Sequence, residues 1–173
     1  MRENNFNEGG GFHTFGEKFD SWGEEFSGEN NWPLLLDPDG FVAEGTGDNF
    51  FIVKNNELYT PEPRNILVGI SRNYILELAK DLGITCYETN LQVKDVENAD
   101  EAFMTATPFC MLPVTSIHGK KIGSGERGSI FNKLLNQWST NVGIDIEKQI
   151  KEFNKELENN NTSGPSPYQF ENK

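Results

Sequence analysis

Between Trp32 and Tyr59 the apolar residues come in short runs, each closed by residues that turn the chain. Pro33-Leu34-Leu35-Leu36 leads into Asp37-Pro38-Asp39-Gly40, where proline and glycine occupy turn-favoured places, and Phe41-Val42-Ala43 resumes an extended run. Phe50 to Lys54 and Leu58-Tyr59 flank Asn55-Asn56-Glu57, with the asparagine pair supplying a second hairpin turn. This punctuation commits the first part of the core to antiparallel strands. Pro61 and Pro63 then interrupt the chain.

Downstream the period changes. Ser71 stands at a predicted N-cap, apolar residues recur at Tyr74, Ile75, Leu78, Ala79 and Leu82, and Gly83 supplies a stop, so a helix is predicted here. Ile84 to Tyr87 reads as a strand, Asp95 to Asp100 as helical, and Ala102 to Thr107 and Met111 to Ile117 as strands before a turn at His118-Gly119. Ile130, Leu134, Leu135 and Trp138 mark another helix, and Ile146, Ile150 and Phe153 a charged one. Residues 158–173 are polar and contain Pro and Ser, the composition of a disordered tail.

The 173 residues suffice for one domain with a core. A formal charge of −12 argues against nucleic acid or an anionic membrane as partner, since a phosphate surface selects basic proteins. Met1 to Gly11 is polar and Asn/Gly-rich without the pattern of a secretory signal, so a cytoplasmic location is expected. Cys86 and Cys110 are too far apart for a CxxC motif and, with His13 and His118, make a poor metal set. Buried, reduced thiols are the expectation for both cysteines.

Residues 1–31 have a different texture: rich in Asn, Gly, Glu and Phe, with Arg2 and Lys18 against seven acidic residues. Phe12, Phe15, Phe19, Trp22 and Phe26 recur at helical spacing, which predicts a short docking helix, while Gly16, Gly23 and Gly28 each cost a helix interior about 1 kcal/mol. Disorder is the alternative for this segment.

Three pieces carry possible chemistry. In Glu44-Gly45-Thr46-Gly47 a carboxylate stands among glycines directly before an apolar strand, and glycine lets another group approach the backbone closely. Gly69-Ile70-Ser71 opens the predicted helix, whose first-turn N–H groups form either a plain capped terminus or a seat for phosphate. Thr105-Ala106-Thr107 ends a strand in hydroxyls just before Pro108. Together these are parts that a pyridoxal phosphate site draws on: an anion for a pyridinium nitrogen and donors for a phosphate.

Four blocks, LLLDPDGFVAEGTGDNFFIV, NILVGISRNYILELAKDLGI, ADEAFMTATPFCMLPVTSIHG and KKIGSGERGSI, resemble in order and spacing the C-terminal half of class IV, fold-type IV, pyridoxal-phosphate aminotransferases, the branched-chain and D-amino-acid aminotransferase group. The resemblance runs from about Trp32 to about Asn154. It implies an α+β fold, a mixed sheet curled into a pseudo-barrel with outer helices, over residues 32–157. It also implies pyridoxal 5'-phosphate as cofactor, an amino acid and a 2-oxo acid as substrates, and a homodimer or a completing chain as partner. Glu44 would pair with the ring nitrogen, Leu67 would lie against the ring face, and Ile70, Ser71 and Thr107 would hold the phosphate.

Two departures from the family pattern matter. Pro108 has no N–H where the family offers one to the substrate carboxylate, so branched-chain specificity does not carry over. The position that the pattern assigns to the Schiff-base lysine falls between Gly9 and Thr14, where no lysine stands, and Lys18 is the sole lysine before Glu44. No catalytic lysine is therefore assigned, and the chain reads as about half an enzyme. A non-catalytic cofactor-binding or interaction domain, and a carbon–carbon lyase acting on aminodeoxychorismate, are the alternatives within the same resemblance.

Overall fold

The computed structural model describes residues 10–15 and 31–159. Among the described residues nine strands form one mixed sheet with four α-helices: β1 Gly10–Phe15, β2 Asn31–Leu36, β3 Val42–Gly45, β4 Asn49–Lys54, β5 Glu57–Pro61, α1 Ile70–Asp81, β6 Cys86–Thr89, α2 Val93–Glu97, β7 Glu101–Ala106, β8 Cys110–Ile117, β9 Lys120–Lys121, α3 Ser129–Val142 and α4 Ile146–Asn159. The strand order is β3-β2-β1-β8-β7-β4-β5-β6, and a further β3–β4 pairing joins the ends of its first six strands into a ring. The predicted curled sheet with outer helices is what the chain builds.

Both predicted hairpins form for the reasons the turns gave. The Asp37 carboxylate accepts from the N–H of Asp39 and of Phe41 at 3.0 and 2.9 Å, while Gly40 takes the positive φ of 85° that the turn requires. Asn55 and Asn56 both lie at positive φ, 54° and 63°, the geometry of a tight primed turn matched to strand twist.

Strands β4 and β7 pair antiparallel along Asn49↔Thr105, Phe51↔Phe103 and Val53↔Glu101, and both are buried on their two faces. Alternation sorts their side chains. Phe50, Ile52, Ala102 and Met104 join Leu34, Val42, Val114 and Ile117 in one cluster. Phe51, Val53 and Phe103 face the other way, under Ile75 and Leu78 of α1 and Ile130, Phe131 and Leu134 of α3. Full burial of each such side chain contributes about 1.5–3 kcal/mol.

Four expectations change. Gly10–Phe15, the start of the predicted aromatic helix, is strand β1, parallel to both β2 and β8. A place between two strands supplies hydrogen-bond partners on both sides, and that outweighs a helical spacing already weakened by glycine. Residues 16–30, which hold the rest of that pattern and Lys18, lie outside the described residues, as do 1–9 and 160–173. The strand predicted at 84–87 forms two residues later, as β6. Helix α4 runs to Asn159, two residues into the segment predicted as tail. Cys86 and Cys110 are free but only half-buried, and burial pushes the Cys86 thiol up to about 11.

Candidate functional site

The helix-covered face of β4 and β7 changes character at one end. Counting back by two from Phe51 gives Asn49, and counting forward by two from Phe103 gives Thr105 and then Thr107, so the apolar layer gives way to amide and hydroxyl groups. Helix α1 starts at this end. A cavity of about 200 Å³ lies there, lined by Glu44 to Asn49, Leu67, Gly69 to Ser71 and Thr105 to Thr107. All five residues singled out in the sequence, Glu44, Leu67, Ile70, Ser71 and Thr107, line it.

Glu44 is held by donors. Its Oε2 accepts from the Leu67 N–H at 3.0 Å and from the Asn49 Nδ2 at 3.0 Å, and the same Nδ2 donates to the Leu67 carbonyl at 2.7 Å. With both amide hydrogens of Asn49 directed this way, its Oδ1 is turned toward Gly69, where a Cβ would collide with it. Glycine at 69 is thus a packing requirement. Burial raises the Glu44 carboxyl above its usual range, and the Leu67 N–H opposes that rise.

Ser71 does not cap α1. The N-cap is Gly69, and Ser71 is the second helical residue, 8% exposed. The first backbone bond of the helix runs from the Asn73 N–H to the Gly69 carbonyl at 3.1 Å. Among the described residues no side chain accepts from the N–H of Ile70 or Ser71, so these donors remain available beside the cavity. The Leu67 and Ile70 side chains are 77% and 85% exposed, an apolar rim next to a polar floor.

Sequence reasoning singled out Thr105 within Thr105-Ala106-Thr107 and missed Asp48 and Asn49. Asp48 and Thr105 are 7% and 1% exposed, and the Asp48 Oδ1 and Thr105 Oγ1 are buried without a hydrogen-bond partner. Buried polar groups are normally satisfied, so two orphans in one cavity mark a place for a polar ligand. The period-two count from Phe51 would have found Asn49. Nothing in the local sequence marks Asp48, because its burial depends on Gly45 lying beneath it.

The lining combines carboxylate acceptors, Glu44 and Asp48, with hydroxyl and helix N–H donors from Ser71, Thr105, Thr107 and the start of α1. It suits a ligand with a cationic ring and an anionic group.

The family model described as amino-transferase class IV matches residues 25–117. The branched-chain-amino-acid aminotransferase of Pseudomonas aeruginosa is 44% identical over 111 residues, which are 64% of this chain and 36% of that enzyme. Among solved structures, the branched-chain amino acid aminotransferase of Escherichia coli superposes with a TM-score of 0.59 at 38% identity, over 60% of this chain and 35% of that one. The T.th. branched-chain amino acid aminotransferase, solved with pyridoxamine 5'-phosphate, gives 0.65 at 28% identity, over 77% of this chain and 51% of that one. The chain spans about a third to a half of the length of the proteins it matches. Class IV aminotransferases are pyridoxal phosphate enzymes, and on a match covering more than half its length this chain belongs to that family.

Proposed function

We propose that this chain supplies the ring and phosphate subsites of a pyridoxal-phosphate site that moves an amino group between an amino acid and a 2-oxo acid, as in branched-chain aminotransferases. The observation that carries the proposal is the meeting of Glu44, Leu67, Ile70, Ser71 and Thr107 in one cavity, with two orphaned polar atoms beside them. When bound, the pyridoxal group withdraws electrons from the substrate's alpha carbon.

The chain's own residues do the rest. Glu44, fixed by Leu67 and Asn49, provides the anion that holds a proton at the ring nitrogen. Leu67 gives the ring an apolar wall. The Ile70 N–H and the Ser71 and Thr107 hydroxyls donate to the phosphate, and the start of α1 adds its dipole. Pro108 brings no N–H, so the substrate carboxylate is held by other groups and the amino donor need not be branched.

No lysine lines the cavity among the described residues. In this reading the lysine that anchors the cofactor comes from outside them, and a second copy or a completing chain covers the exposed Leu67, Val68 and Ile70. The proposed domain takes in strand β1 together with residues 31–159, and the proposed location is cytoplasmic.

Pyridoxamine 5'-phosphate is the probe of choice, because it binds without a covalent link. Tryptophan fluorescence should show saturable binding that Glu44→Gln weakens about tenfold or more, the loss of a partly buried charge pair. Absence of binding, or equal binding by the variant, would overturn the proposal. Borohydride reduction with pyridoxal phosphate then asks about Lys18: an adduct there would mean that the chain carries its own anchoring lysine.

A further inference from the structure

The cavity holds a second carboxylate that the function above does not use. Asp48 lines it together with Glu44, and its Oδ1 is buried and unpartnered. The loop pins this group in place: the Gly45 N–H donates to the Asp48 carbonyl at 3.0 Å, and a Cβ on Gly45 would run into the Asp48 carboxyl. Among the described residues, no lysine, arginine or histidine lines the cavity, and Glu44 is the one other titratable group there.

Two carboxylates in so confined a site cannot both ionise without cost, so one takes the proton. The surroundings choose which. Glu44 receives N–H donors from both Leu67 and Asn49, and donors of that kind favour the anion. Asp48 has the Gly47 backbone as its one such donor, and burial followed by the charge of Glu44 pushes its carboxyl up to about 7.

We infer that Asp48 is a positioning residue that takes the proton the two carboxylates share, so that Glu44 faces the ligand as the single fixed anion. The part of this that concerns the ligand rests on the function proposed for Glu44. The sharing of the proton is a property of the chain alone.

The test has two arms on the full chain. In the first, carbon-13 resonances of the Asp and Glu carboxyls are followed through a pH titration of the native chain and of Glu44→Gln. Asp48 should titrate near neutrality in the native chain and at lower pH in the variant. An Asp48 already ionised at pH 5, or one that titrates identically in both proteins, overturns the inference. In the second arm, pyridoxamine 5'-phosphate affinity is measured against pH for the native chain and Asp48→Asn. The two should bind alike below about pH 6, where Asp48 is protonated and resembles asparagine, and diverge several-fold above about pH 8. Coincident profiles at every pH, or a gap already present at low pH, overturn it. Should the native chain bind no probe at any pH, the proposed function falls, and the carboxyl titration alone upholds or overturns the sharing of the proton.

Discussion

Helices α1 and α3 begin in the same way and end up with opposite tasks. Each starts at a glycine N-cap without a side-chain cap of its own, and at each a Cβ on that glycine would strike a polar side chain from the sheet. At α3 that side chain is Glu101, whose two carboxylate oxygens accept from the Ile130 and Phe131 N–H groups at 3.0 and 2.9 Å. At α1 it is the neutral Asn49, which donates to Glu44 and Leu67, and among the described residues no side chain accepts from the Ile70 or Ser71 N–H. The start of α3 is therefore closed by an internal anion, while that of α1 keeps its donors for an external one. A helix start becomes a binding site when the fold declines to satisfy it.

The contrast can be broken most severely at α3. Glu101→Ala removes two charge-assisted bonds from a carboxylate that is 9% exposed and strands two buried N–H groups, so chemical denaturation should show a loss of about 3 kcal/mol. A loss under about 1 kcal/mol would mean that α3 does not depend on its internal anion.

Gly69→Ala tests whether α1 is built to stay open. The new Cβ displaces Asn49, and the strain should cost about 1–3 kcal/mol of stability in the same denaturation experiment. Because Asn49 also holds Glu44, pyridoxamine 5'-phosphate binding should weaken with it. Stability lost with binding intact would separate the packing role of the glycine from the site.

The smallest effect on the fold belongs to Ser71→Ala. Since Ser71 does not cap α1, stability should change by no more than about 0.5 kcal/mol, while affinity for the phosphate ligand drops several-fold. A stability loss of about 1 kcal/mol or more would mean that the hydroxyl serves the helix after all.

Much of this architecture was legible in the sequence where the physics is local. Asp37 to Gly40 and Asn55-Asn56 announce their hairpins because a few residues fix the backbone angles that a turn needs. The apolar spacing of α1 and α3 likewise predicts which faces they bury. Glu44, Leu67, Ile70, Ser71 and Thr107 were assigned from a resemblance in four blocks, and they do meet at one cavity.

Other features depend on what lies across space. Phe12 and Phe15 carry a helical spacing, yet the stretch becomes β1, since the open partners on β2 and β8 lie far along the chain. Asp48 looks like an ordinary loop residue until the fold buries it against Gly45. The turns, the helix faces and the family follow from the chain read residue by residue, because each is set by near neighbours or by a pattern of residues. That Glu101 closes one helix, that Asn49 leaves the other open, and that Asp48 stands beside Glu44 became fixed when the chain folded. Those outcomes turn on hydrogen bonds and charges between distant segments, whose strength depends on burial that no local stretch encodes.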